Sequence, residues 1–156
     1  MKYLIRDCQP TDVNAVIDLC QKHADYEQAA FNPNGKEDGL KNTLFCEQPK
    51  LFCLVVEANE TLVGYASYTF DFSTWDVASF MYMDCLYLKE DVRGFGIGET
   101  IIEKLKQIAI DKNCINIQWQ TPKFNERAIK FYNRIGGTAK EKVRFSLDLS
   151  ISKNKK

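Results

Sequence analysis

The chain has 156 residues, with 21 basic and 21 acidic side chains, six cysteines and one histidine. Charge parity argues against a nucleic-acid binder, which would be basic overall or in one block. No apolar run reaches membrane-spanning length, and the start, MKYLIRDCQP, lacks a signal-peptide apolar core, so a cytoplasmic protein with no membrane partner is expected.

This length suits one domain, expected over 1–150, with 151–156 (ISKNKK) a disordered basic tail. The cysteines are irregularly spaced without a CxxC, and His23 stands alone. That pattern predicts free thiols and no bound metal.

KYLIRD reads as a first strand. In TDVNAVIDLCQKHADYE, Val13, Val16, Ile17, Cys20 and Ala24 recur at helical spacing, with Thr11 placed to cap. FNPNGKEDG reads as a loop, and a short helix is expected over Gly39–Cys46. Three strand-like runs follow: LFCLVVEA, LVGYASYTF and SFMYMDCLYL. Beyond the glycine-rich stretch RGFGIG, residues Ile101, Ile102, Leu105, Ile108 and Ala109 form an apolar helix face. INIQWQ alternates like a strand, NERAIKFYNRIGG reads as a helix closed by glycine, and VRFSLDL reads as a last strand. The order β-α-α-β-β-β-α-β-α-β predicts a mixed α/β or α+β fold.

RGFGIG has glycine at alternate positions directly ahead of a helix. Glycine permits positive φ and close approach of a ligand to the backbone. A helix start aims free N–H groups and the positive dipole end at one point, which makes an anion site, and Arg93 adds a guanidinium. Neither nucleotide motif fits. A P-loop needs lysine after its last glycine, where Glu99 follows Gly98, and the dinucleotide fingerprint needs GxGxxG in an N-terminal unit.

Arg93-Gly94-Phe95-Gly96-Ile97-Gly98 matches Q/R-x-x-G-x-G/A, the signature of the GNAT superfamily of acetyl-CoA-dependent N-acetyltransferases. The chain resembles that superfamily nearly throughout. Its IR near the start, Tyr26-Glu27, RGFGIG and NERAIKFYNRIGG are most similar to the diamine (spermidine/spermine) N-acetyltransferase branch. The resemblance implies a central sheet of six to seven strands, about four flanking helices and a V-shaped cofactor slot. Acetyl-CoA would be held by the backbone of Arg93, Gly94, Phe95, Gly96, Ile97, Gly98 and Glu99 at its pyrophosphate, and along Leu86, Tyr87 and Leu88 at its pantetheine arm. Asn125, Ala128 and Tyr132 would complete the cofactor contacts. The resemblance also implies a homodimer.

Acetyl transfer to an amine poses two proton problems. An alkylammonium, with a pKa near 10, must lose a proton, and the thiolate leaving group, from a thiol of pKa about 8.5, must gain one. By resemblance Asp84, near the amine, is the acceptor and Tyr132 the donor; a cationic amine favours carboxylates and aromatic faces, so Tyr26, Glu27, Trp75 and Asp76 are candidates to line its pocket. Each has a plainer reading. Tyr132 lies at helical spacing with Ala128, Phe131 and Ile135 and suits a core face; Asp84 suits a solvent-facing strand position; Asn125 suits a helix cap. Tyr26, Glu27, Trp75 and Asp76 suit ordinary surface. Asp84 is one methylene shorter than the branch's glutamate, and Cys85 stands where the branch has aspartate, so one carboxylate of a pair is missing.

The expected function is therefore direct acetyl transfer in a ternary complex to a small primary amine, with diamines and polyamines first. The alternatives are another amine (amino acid, aminoglycoside or protein N-terminus) and a catalytically silent CoA-binding module.

Overall fold

In the computed structural model, residues 1–149 are described and fall into two compact units, Met1–Asn125 and the segment from Glu126 onward. The expected tail, 151–156, lies outside the described residues.

The first unit carries β1 (Leu4–Asp7), α1 (Val13–Tyr26), α2 (Lys36–Leu44), β2 (Phe52–Ala58), β3 (Thr61–Ser73), β4 (Ala78–Leu88), α3 (Ile97–Asp111) and β5 (Ile117–Gln118). The second carries α4 (Glu126–Arg134). The strands form one mixed sheet in the order β1-β2-β3-β4-β5, antiparallel except for β4 and β5, which run parallel. α3 is the crossover that a parallel pair requires.

Both sheet faces are covered, which explains the unbroken apolar run of β2: Cys53, Leu54, Val55 and Val56 are all buried. On one face Val16 and Leu19 of α1 join Cys53, Val55 and Tyr65 in a single cluster. α3 buries Ile101, Ile102, Leu105 and Ala109 of the expected stripe, with Ile108 only half-buried and Ile97 added at its start; each buried Ile or Leu contributes about 1.5–3 kcal/mol.

The sheet has five strands among the described residues, not six to seven. INIQWQ forms a ladder only at Ile117–Gln118, and VRFSLDL forms no strand. Its alternating apolar residues Val143, Phe145, Leu147 and Leu149 are exposed. Alternation is a preference that becomes a strand only where a partner supplies the ladder. Thr11 does not cap α1: Asp12 occupies the N-cap, and Thr11 lies in a 3-10 turn, Pro10–Asp12. α2 starts inside the expected loop because Gly35, at φ 74°, turns the chain directly into Lys36.

One irregularity concerns the site. Ser67 pairs with Cys85 and Tyr68 with Met83, so Asp84 has no partner on β3. It is the extra residue of a β-bulge, a device that re-aims a side chain.

Candidate active site

The glycine loop crosses from β4 to α3. Gly94 and Gly96 are left-handed, at φ 86° and 78°, while Gly98 lies inside the first helical turn with an ordinary φ. A Cβ added at Gly94 or Gly96 would meet no protein atom within 4 Å, so the space over this backbone is open. Thr100 N–H donates to the Gly96 carbonyl at 3.1 Å, the first bond of the α3 ladder. The N–H groups of Ile97, Gly98 and Glu99 precede that ladder and supply the orphan donors of the helix start, at its positive end. Ile97 is buried and anchors this turn, while Phe95 and Glu99 are exposed. Open glycine backbone and convergent N–H donors fit a pyrophosphate.

Arg93 is built in differently from the simple phosphate clamp the sequence suggests. Its Nε donates to the Leu88 carbonyl at 2.8 Å, and its guanidinium lies 4.7 Å from the Tyr26 ring centroid and 5.5 Å from that of Tyr87. It ties the end of β4 and the end of α1 to the start of the loop, by contacts worth about 0.5–2 kcal/mol each.

The β4–β5 ladder covers only Met81 with Ile117 and Tyr82 with Gln118. β4 then continues through Leu86, Tyr87 and Leu88 beyond that ladder, so the two strands part on the side of the glycine loop. Asp84 is exposed on this stretch. The Cys85 thiol donates to Asp84 Oδ2 at 3.8 Å. Burial, with the Asp84 charge adding to it, pushes the Cys85 thiol up to about 11. At neutral pH Cys85 is a thiol and not a thiolate nucleophile.

The structure adds residues that sequence reasoning passed over. His23 Nδ1 lies 2.9 Å from the Tyr65 hydroxyl, and its Nε2 lies 3.3 Å from Glu27 Oε1. Its ring stacks on Tyr87 at 5.3 Å. Burial pushes the Tyr65 phenol well above its ordinary range, so it stays protonated and able to donate. Tyr26 donates from its hydroxyl to Asn125 Oδ1 at 3.2 Å, and Asn125, itself buried, donates from Nδ2 to Thr121 Oγ1 at 3.3 Å. Tyr26, Glu27, Tyr87, Arg93 and Asn125 are thus brought together, with His23 and Tyr65 behind them. The signal in the sequence was the lone His23 four residues before Glu27, one helical turn apart.

Trp75 and Asp76 are not brought to this group within the chain. They sit in the β3–β4 turn, where Trp75 is 97% exposed and Asp76 Oδ2 accepts from Ser73 Oγ at 3.0 Å. At roughly 3.3 Å per residue, β4 separates this turn from Tyr87 by ~30 Å.

In the second unit, Ala128 and Tyr132 are one turn apart on α4, and the Tyr132 and Phe131 rings are 5.3 Å apart. The helix ends as expected on glycine. Gly136, at φ 95°, donates to the Asn133 carbonyl and Gly137 to the Tyr132 carbonyl, at 3.2 and 2.9 Å, which is a Schellman closure.

Among the described residues no group of three or more His, Cys, Asp or Glu side chains is placed to hold a metal, and no helix is long and apolar enough to cross a membrane. The chain is 31% identical to the thialysine N-epsilon-acetyltransferase of Bos taurus, covering 85% of this chain and 82% of that protein. It is 28% identical to the spermidine/spermine N(1)-acetyltransferase-like protein 1 of Homo sapiens, over 86% of this chain and 20% of that protein. Its fold matches that of the aminoglycoside N-acetyltransferase AAC(6')-Iy, solved in complex with CoA, with a TM-score of 0.78, 15% identity, and coverage of 94% and 95% of the two chains. Residues 16–137 match the acetyltransferase (GNAT) family, and the chain belongs to that family as an acetyl-CoA-dependent N-acetyltransferase.

Proposed function

We propose that the acceptor is a small flexible molecule with a terminal primary amine and a second cationic group, and that acetyl transfer is direct, within a ternary complex. Thialysine and spermidine, the acceptors in the relatives' names, both have that chemistry. The observation that carries the reading is Asp84: an exposed carboxylate, set out of register by a bulge, on the stretch of β4 beyond the β5 ladder.

Acetyl-CoA supplies the acetyl thioester. The backbone from Arg93 to Glu99 would hold its pyrophosphate, and Leu86, Tyr87 and Leu88 would run beside its arm. Asp84 accepts a proton from the ammonium, freeing the lone pair for attack. Tyr132 would return a proton to the leaving sulfur, and Ala128 and Asn125 would complete the set of cofactor contacts. Glu27 and Tyr26 suit the second cation, by charge and by an aromatic face. Trp75 and Asp76 would reach an acceptor only from a second copy of the chain, in a homodimer. Cys85, held as a neutral thiol, favours the direct route over an acetyl-cysteine intermediate.

The test is release of free CoA thiol against a panel of amines. Putrescine, spermidine and thialysine should exceed butylamine in kcat/KM, with KM rising with salt because partly exposed charge pairs are screened. Equal efficiency for butylamine and putrescine would remove the second-cation site. Turnover only with aminoglycosides or protein N-termini would replace the acceptor class. Binding of acetyl-CoA without turnover on any amine would leave a silent binding module.

A further inference from the structure

We infer that Cys8 and Cys53 form a reversible thiol–disulfide site, modified by small hydroperoxides, on the β1–β2 side of the sheet. The β1–β2 register ends with Asp7 opposite Leu54, which places Cys8 opposite Cys53, and the Cys8 N–H donates to the Cys53 carbonyl at 2.9 Å. Directly opposed residues of a hydrogen-bonded antiparallel pair have Cα atoms about 5.5 Å apart and side chains on one face. That lies inside the roughly 4.4–6.8 Å range that a disulfide spans without backbone movement. The two thiols are close enough to influence each other's protonation. Each also reaches a backbone carbonyl, Cys8 that of Gln9 at 3.6 Å and Cys53 that of Leu54 at 3.5 Å.

An independent observation supplies access. Both residues are buried, yet both line a cavity of about 490 Å³, walled also by Leu44, Phe45, Leu51 and Tyr68. This cavity gives a molecule as small as hydrogen peroxide a route toward the pair in the folded chain. Reactivity follows from the pairing. A thiolate at Cys8 is stabilised by the remaining S–H of Cys53, so the Cys8 thiol sits below its ordinary range and the second proton of the pair is the harder to lose. Burial raises Cys20 and Cys85 instead, which leaves them slower.

The Cys8 thiolate attacks one peroxide oxygen, the O–O bond breaks, and the leaving hydroxide takes a proton to become water. Cys8 is then a sulfenic acid. The Cys53 sulfur attacks the Cys8 sulfur and loses its proton as the S–OH bond breaks, releasing a second water. One hydrogen peroxide is reduced as two thiols become one disulfide, and a reduced dithiol reverses the reaction. The bond would join the edge strand β1 to β2 and enclose both α1 and α2 in one covalent loop.

The experiment treats the full chain with hydrogen peroxide, quenches it, denatures it, blocks remaining thiols with iodoacetamide and maps the peptides by mass. The expected product is a Cys8–Cys53 linked peptide pair, lighter by two hydrogens and lost on treatment with dithiothreitol. Cys20 and Cys85 should remain alkylated, and Cys8→Ser or Cys53→Ser should each abolish the cross-link. The wild-type map needs no variant, so a substitution that fails to fold does not spoil the test. Alkylation of both Cys8 and Cys53 in a sample where exposed Cys46 is already oxidised would overturn the assignment. So would over-oxidation of Cys8 to sulfinic acid with Cys53 untouched. Neither readout depends on which amine is acetylated.

Discussion

At Gly96 the backbone sits at φ 78° with open space where a Cβ would stand. Gly96→Ala therefore incurs left-handed strain of roughly 1–2 kcal/mol without any clash. The added methyl also occupies the ground expected for the pyrophosphate. Denaturant melts should show the modest stability loss, and calorimetry should show a larger loss of acetyl-CoA affinity, with Gly96→Val worse because its side chain is β-branched. Unchanged affinity in a folded variant would refute the cradle. Asp84 and Tyr132 are proposed for opposite proton transfers, so their substitutions should separate by pH. Asp84→Asn should lower kcat/KM and recover in part at high pH, where more of the amine is already neutral. Tyr132→Phe keeps the ring, so stability and acetyl-CoA affinity should change little while kcat falls by about 10²-fold, the low end for a lost acid, without recovery at high pH. Matching pH profiles for the two variants, or full activity of Tyr132→Phe, would undo this division of roles.

The β3–β4 pair shows how an element positions the site. A Cβ on Gly64 would lie 2.8 Å from the Tyr87 carbonyl and 2.5 Å from Leu88 Cδ2, so β3 meets the end of β4 more closely than a side chain permits. Gly64→Ala should destabilise by about 1–3 kcal/mol and weaken acetyl-CoA binding, because the strand that must shift leads into the glycine loop. Urea melts and calorimetry measure the two effects, and unaltered values in both would show that β4 tolerates the displacement. α1, α3 and β2–β4 were legible in the sequence because their apolar periodicity is long and strong. The glycine loop was legible because its chemistry is local. Other features depend on partners remote in sequence. The bulge at Asp84 exists only relative to the register of β3, and the place of His23 between Tyr65 and Tyr87 only once α1 lies on the sheet. VRFSLDL has the alternation of a strand, but alternation alone does not make one, and residues 143–149 carry no strand. Trp75 was grouped with Tyr26 by composition, and the length of β4 parts them.

Stability of the whole molecule should follow acid pH through Asp12. Arg6 grips its carboxylate with two bonds, Nη1 to Oδ2 at 2.7 Å and Nη2 to Oδ1 at 3.1 Å, and Arg6 Nε reaches Glu57 Oε2 at 3.0 Å. This joins β1, the turn before α1 and β2. The bonds from Arg6 hold the Asp12 carboxyl below its ordinary range. A carboxyl depressed in the folded state stabilises it above the unfolded value, about 3.9, and that stability is lost as pH falls through the folded value. Asp12→Asn should thus be less stable than the parent at pH 7, and the gap should narrow toward pH 3. Parallel urea-melt stabilities for the two proteins across that interval would show that the pair does not set the acid response. The sheet order β1-β2-β3-β4-β5 has a kinetic consequence as well. Every strand lies beside its predecessor in the chain, so a nascent chain leaving the ribosome can lay each strand against the one already made. β2, β3 and β4 are joined by tight turns and can zip at once, a low-contact-order start that favours rapid assembly. Among the described strands only β5 enters parallel, and it cannot register until α3 has been synthesised and has crossed the sheet. The slot proposed for the cofactor beside β4 is therefore among the last features expected to form during translation, after most of the sheet has been assembled.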